Sequence, residues 1–220
     1  MTNYNNQDDI VSDVHNYGIN IKTREIFLHP FVLNHDENPG VEYKMATNLY
    51  KNIQLLESMS NDPIIIHMQS VGGEWNSGMS IYDSISSAKS HVTIIAYGQA
   101  ESMSSVILQA ADKRIMMPNC YLMCHFGSSF YSGNYLDVQR GTGFEKRMAE
   151  DMLDIYAFGC SKGKFFEEHY KDPTPEKVKN FIRRKFKDGD WYLNSHESVY
   201  YGFADGVLGT RKFPSIDSLK

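Results

Sequence analysis

Val92-Thr93-Ile94-Ile95-Ala96-Tyr97 runs into Gly98-Gln99-Ala100-Glu101-Ser102-Met103, and the reading of this stretch decides the fold. The first six residues are apolar or β-branched, the pattern of a buried strand. Residues 103–111 then place Met103, Val106, Ile107 and Ala110 at helical spacing. Ser102 therefore stands at a strand-to-helix junction. Upstream, Ile64-Ile65-Ile66-His67-Met68 repeats the strand pattern. Ser70-Val71-Gly72-Gly73 turns the chain into a helix over 77–87 with Met79, Tyr82 and Ile85 on one face. Downstream, Arg114-Ile115-Met116-Met117 and Tyr121-Leu122-Met123-Cys124 read as short strands around the turn Pro118-Asn119. Strands alternating with helices predict an α/β fold with parallel pairs and helical crossovers.

Farther out, Arg24–Leu28 predicts a first strand, and the two prolines between His29 and Gly40 predict a loop. Met45–Ser58 carries Met45, Leu49, Ile53 and Leu56 at helical spacing. Phe126–Gly143 is rich in glycine, and Phe144–Phe158 reads as a long helix, so a protruding element is expected here. Asp172-Pro173-Thr174-Pro175 breaks the chain before a helix over 176–187. A short helix at 195–201 and a strand around 204–208 follow. The expected organisation is a flexible polar segment 1–20, one domain 21–210 and a tail 211–220.

The chain has 220 residues with 22 basic and 27 acidic side chains, net −5. That balance gives no electrostatic case for nucleic-acid binding. No apolar run approaches the roughly 20 residues of a membrane span. Met1–Asp9 lacks the charged and apolar regions of a signal peptide. Cys120, Cys124 and Cys160 are odd in number and without metal-ligand spacing, so they read as buried free thiols. A cytoplasmic protein without metal, cofactor, membrane or nucleic-acid partner is expected.

The Gly-Gly turn, Ser102 and His125 all stand at strand ends, so they can meet along one sheet edge. Acyl transfer needs such a kit: a nucleophile, a base and backbone N–H groups for an oxyanion. Each residue also has a plain reading. Ser102 can be a helix N-cap, Gly72-Gly73 a simple turn, and a lone histidine a packed core residue. Ser104 and Ser105 compete with Ser102 as nucleophile. His67 lies inside a strand, which suits packing better than catalysis. Asp188 and Asp190 both remain as the acid, and either can be a turn residue.

These motifs, taken in order, resemble the proteolytic subunit of the caseinolytic (Clp) protease, ClpP, an ATP-dependent serine protease family. The resemblance covers about residues 22–210. Gln69-Ser70-Val71-Gly72-Gly73 is similar to the family's Asn-Ser-Pro-Gly-Gly loop, and Gly78-Met79-Ser80-Ile81-Tyr82-Asp83 to its next helix start. Gly98–Met103 is similar to the nucleophile turn, and Pro118–His125 to the run ending in the base. The resemblance implies Ser102 as nucleophile, His125 as base and Asp190 as acid, with the N–H groups of Gly73 and Met103 forming the oxyanion hole. It implies a crotonase-like ββα superhelix with a protruding handle helix. It further implies a heptameric ring, able to stack as a double ring, an AAA+ unfoldase of the Clp type, and unfolded polypeptides as substrate.

Several residues depart from the pattern. Val71 stands for proline, Glu101 for alanine, Phe126-Gly127 for Gln-Pro, and Trp191 for an arginine that helps ring-to-ring contact. The segment between Ser102 and His125 is also slightly short. These departures fit a divergent member, specialised or virally encoded, better than a housekeeping subunit. Two other classes stay in view: an inactive ClpP-like assembly subunit, and a crotonase-type acyl-CoA enzyme on the same superfold. A Ser-Lys peptidase is a smaller third.

Overall fold

The computed structural model describes residues 7–28 and 40–219. The loop expected over His29–Gly40 lies outside the described residues except for Gly40, and so do residues 1–6. The chain begins with α1 (Gln7–Tyr17), β1 (Ile19–Asn20), β2 (Glu25–Leu28) and α2 (Tyr43–Met59). β3 (Ile64–Ser70), α3 (Trp75–Ser86), β4 (Val92–Glu101) and α4 (Met103–Leu108) form the central repeats. β5 (Lys113–Met116), β6 (Tyr121–Cys124), α5 (Tyr135–Cys160), α6 (Lys164–His169) and α7 (Pro175–Lys187) follow. β7 (Trp191–Asn194), α8 (Ser195–Tyr201) and β8 (Gly206–Val207) come last.

Strands β2, β3, β4, β5 and β8 lie side by side and parallel, with β1 antiparallel at the edge. β4 changes partner along its length. Thr93–Ala96 pairs with β5, whereas Gln99–Glu101 pairs with β6. The register against β3 slips between Met68↔Ala96 and Ser70↔Ala100, so β4 carries two extra residues there. Gly98 lies in that excess at φ 56°, a left-handed conformation glycine adopts without a Cβ penalty. This irregularity re-aims the end of β4, and with it Ser102, toward β6.

Alternate strand residues face opposite sides of the sheet. Ile64, Ile66, Met68 and Ile94 join Leu49, Ile53, Ile81 and Val106 in the main core, all at most 1 % exposed. Ile65, Ile95 and Ile115 face the other way and are covered by Leu208, Phe213 and Leu219. Both faces of the strands are therefore dry, which is why they read as continuous apolar runs. Each such side chain contributes about 1.5–3 kcal/mol relative to exposure. Arg114 fastens α5 to this body. Its guanidinium donates to the Gln109 side chain, to the Gly159 and Gly202 carbonyls, and to both oxygens of Asp205.

Several elements differ from expectation. Where composition predicts a flexible segment over 1–20, α1 and β1 are formed. Most of α1 is exposed, but Ile19 is buried and the Asn52 side chain donates to the Tyr17 carbonyl. Helix α5 begins at Tyr135, nine positions before the predicted start, despite Gly141 and Gly143. Asn134 caps it by accepting from the Leu136 and Asp137 N–H groups. Gly141 has a packing reason, because a Cβ there would come 2.4 Å from the Tyr131 ring. Strand β7 and helix α6 have no counterpart in the predicted elements. The stretch read as a tail packs on the sheet through Phe213, and Ile216–Leu219 forms a 3-10 turn.

Candidate active site

Ser102 has φ 50° and ψ −122°, and the described residues include one other non-glycine with positive φ, Arg24. Backbone strain of this kind persists where the surroundings hold it, and it turns the side chain outward. Ser102 occupies the N-cap position of α4, yet its hydroxyl makes no capping bond. Its Oγ lies 2.9 Å from His125 Nε2 instead. His125 Nδ1 lies 3.0 Å from Asp190 Oδ1. If Nδ1–H donates to the carboxylate, Nε2 is left free to accept the Ser102 proton.

Strand register accounts for this meeting. β4 pairs Glu101 with Met123, and the Ser102 N–H donates to the Met123 carbonyl at 2.8 Å. β6 runs antiparallel to β7 with Cys124 opposite Trp191. One step further along that register stand His125 and Asp190. Asp188 is the C-cap of α7, and Gly189, at φ 121°, turns the chain between the two aspartates.

The competing residues lie elsewhere. Ser104 and Ser105 are fully buried. The Ser105 hydroxyl donates to the Ser102 carbonyl and lies 2.6 Å from the Tyr156 hydroxyl. Ser105 and Tyr156 thus hold the strained turn from behind, a role the sequence signals in no way. His67 sits inside β3, stacked on Phe27 with Nδ1 2.9 Å from the Tyr97 hydroxyl. It is a packed residue and does not line the cavity beside Ser102. Burial pushes the Cys120 and Cys124 thiols up to about 12, so neither is a thiolate at neutral pH.

Gly72 and Gly73 adopt φ 93° and 150°. A Cβ on Gly72 would stand 2.6 Å from Ser102 Cβ and 2.8 Å from the Met103 nitrogen. The loop backbone therefore lies directly against the serine turn. Met103 opens α4, so its N–H has no intrahelical acceptor. Neither that N–H nor that of Gly73 donates a bond among the described residues. Val41 pins the loop: its N–H donates to the Gly72 carbonyl, and its carbonyl accepts from Glu74 N–H. Val41 is far upstream in sequence and carries no motif, so its role was not legible.

Beside Ser102 and His125 lies a cavity of about 520 Å³. Its walls include Met103, Val106, Met148 and Met152, with Phe126 and Trp75 at its sides. Phe126 also packs edge-on against Phe186. Trp191 points away from this cavity into a cluster with Phe181, Tyr201 and Phe203. Burial, and then the Asp190 carboxylate, hold the Glu101 carboxyl above its ordinary value, while His125 pulls it down. Glu101 is thus close enough to feel both of the others. Among the described residues no group of three or more His, Cys, Asp or Glu could hold a metal ion. No described helix is long and apolar enough to cross a membrane.

A parallel α/β sheet with a serine, a histidine and an aspartate in one hydrogen-bonded row defines a class of protein. Residues 21–211 match the family model described as Clp protease, and the chain belongs to that family. It is 31% identical over 196 residues to the ATP-dependent Clp protease proteolytic subunit of Carsonella ruddii, covering 87% of each chain. It is 30% identical over 171 residues to the subunit of the same name from Deinococcus radiodurans, covering 76% of each. A ClpP1 variant from Listeria monocytogenes shares the fold, with a TM-score of 0.69, 24% identity, and coverage of 87% of this chain and 95% of that one. The α/β ClpP fold expected from the sequence is therefore found.

Proposed function

We propose that this chain is a serine endopeptidase that hydrolyses unfolded polypeptides inside an oligomeric chamber. The hydrogen-bonded row Ser102–His125–Asp190 carries the reading. Ser102 Oγ attacks the scissile carbonyl as His125 Nε2 takes its proton. Asp190 orients the imidazole and stabilises its charged form. The developing oxyanion accepts from the Gly73 and Met103 N–H groups, neither of which donates to another acceptor among the described residues. His125 then returns the proton to the leaving amine. Water, deprotonated by the same histidine, releases the acyl group.

Relatives named as ATP-dependent proteolytic subunits support an assembly with a Clp-type AAA+ unfoldase. The proposed assembly is a heptameric ring, stacked face to face through the handle, in the cytoplasm. Exposed Phe130 in the segment ahead of α5, and Tyr135 and Leu136 at its start, 90%, 76% and 54% accessible, support burial of the handle by a second copy. Residues 21–210 would form the peptidase domain. A fluorophosphonate probe should label Ser102 and stop degradation of an unfolded polypeptide, and native mass spectrometry should give rings. An unlabelled Ser102 would favour the inactive assembly subunit. A monomer at micromolar concentration would remove the chamber.

The pH profile tests the place of Glu101. Burial, and then the Asp190 carboxylate, hold its carboxyl above the ordinary value, while His125 pulls it down, so Glu101 titrates within reach of the site. Glu101→Gln removes that titrating group and should change the pH profile of kcat/KM, which reports the free enzyme. Superimposable profiles would leave Glu101 without an influence on the site.

A further inference from the structure

We infer that the cavity beside Ser102 takes a lysine or arginine side chain from the residue whose carbonyl is attacked, with Glu145 as its partner. The inference rests on the peptidase reading above. Along α5, Glu145, Met148, Ala149 and Met152 fall on one helical face, and all four line the cavity. Met103 and Val106 of α4 line it too. These apolar groups suit a polymethylene stem, and the volume of about 520 Å³ admits the longest side chains.

Glu145 departs from this apolar wall. Its Oε1 is closed to solvent and has no hydrogen-bond partner among the described residues. A shielded carboxylate oxygen without a donor is costly, and a donor from a bound ligand relieves that cost. The other charged side chains on the cavity are Glu74 and Lys146. Glu74 Oε2 already accepts from the Ser77 hydroxyl at 3.0 Å. Lys146 is exposed and follows Glu145 on the helix, about 100° round the axis. Two carboxylates against one ammonium leave the cavity negative. An apolar occupant would leave the Glu145 carboxylate without a donor, whereas a cationic head bonds to it once the carboxylate rotates toward the cavity that its side chain lines, while the stem lies along the methionines. Lysine and arginine both supply donors at the end of a flexible apolar stem.

The test uses the assembled full-length protein and fluorogenic peptides that differ only at the residue before the scissile bond. That residue is lysine, arginine, norleucine or glutamate. Norleucine has the carbon stem of lysine and lacks the ammonium. In the wild type, kcat/KM for the lysine peptide should exceed that for norleucine by about tenfold or more, because a site built to bond a polar group rejects the analogue that lacks it. Glu145→Leu should invert the ratio, and Glu145→Gln, which keeps the shape, should give an intermediate one. Fluorophosphonate should still label Ser102 in all three proteins, showing that the nucleophile is in place. A wild type that prefers norleucine, or a ratio that Glu145→Leu leaves unchanged, overturns this inference and leaves the peptidase reading standing. Failure to cleave any of the four peptides, with Ser102 unlabelled, overturns the peptidase reading and this inference with it.

Discussion

Ser102→Ala is expected to lower peptide hydrolysis by about four to six orders of magnitude, the loss seen when a serine nucleophile is removed from a triad. Assembly and thermal stability should hardly change. Ser102 caps no backbone group of α4, and among the described residues its Oγ has one partner, His125 Nε2. His125→Ala should cost a similar amount, and the double variant little more, since the two act as one unit. The measurement is single-peptide turnover beside native mass and a melting curve. Ser104→Ala is the counter-test. Ser104 is fully buried, so no substrate carbonyl can reach its hydroxyl. Wild-type turnover in Ser102→Ala together with loss in Ser104→Ala would reverse the assignment.

Gly72→Val is expected to cost at least about a thousandfold in kcat, the scale of losing oxyanion stabilisation altogether. Two effects act together. At φ 93° a β-branched residue is strained. Its Cβ would also meet Ser102 Cβ at 2.6 Å, the Glu101 carbonyl at 2.7 Å and the Met103 nitrogen at 2.8 Å. All three belong to the serine turn, so relief must displace either the nucleophile or the donor N–H. Gly143→Ala serves as control. It lies in α5, and a Cβ there meets nothing within 4 Å. It should leave turnover unchanged and, by helix propensity, raise stability slightly. Substantial activity in Gly72→Val would mean that the loop moves freely and does not form the oxyanion hole.

Much of the central fold was legible because its signals are local. β3, β4 and β6 are short apolar runs bounded by turn residues, and α2, α3 and α4 show their inward faces every three or four positions. Elements whose stability comes from elsewhere were harder to read. α5 extends through two glycines because its cap at Asn134 and the close approach of Tyr131 offset their low propensity. β7 is four residues long and draws its strand geometry from pairing with β6. α1 is polar, and Ile19 and the Asn52 bond hold the chain just behind it.

The site divides in the same way. Residue types and their places at strand ends determined that a serine, a histidine and a Gly-Gly turn could serve one chemistry. Those properties belong to short segments, and backbone preference and side-chain chemistry write them locally. The chemistry of the residues left open which of them meet; the resemblance named Ser102, His125 and Asp190, and the tertiary structure puts these three within hydrogen-bond distance. Ser102 was separated from Ser104 and Ser105 by its strained backbone and by burial of the other two. Asp190 was separated from Asp188 by the register of β6 against β7, which carries it across 65 positions to His125. A one-residue slip in that pairing would turn every side chain of β7 to the other face. Hydrogen-bond register is a relation between strands, held by packing on both faces of the sheet, and no window of sequence contains it.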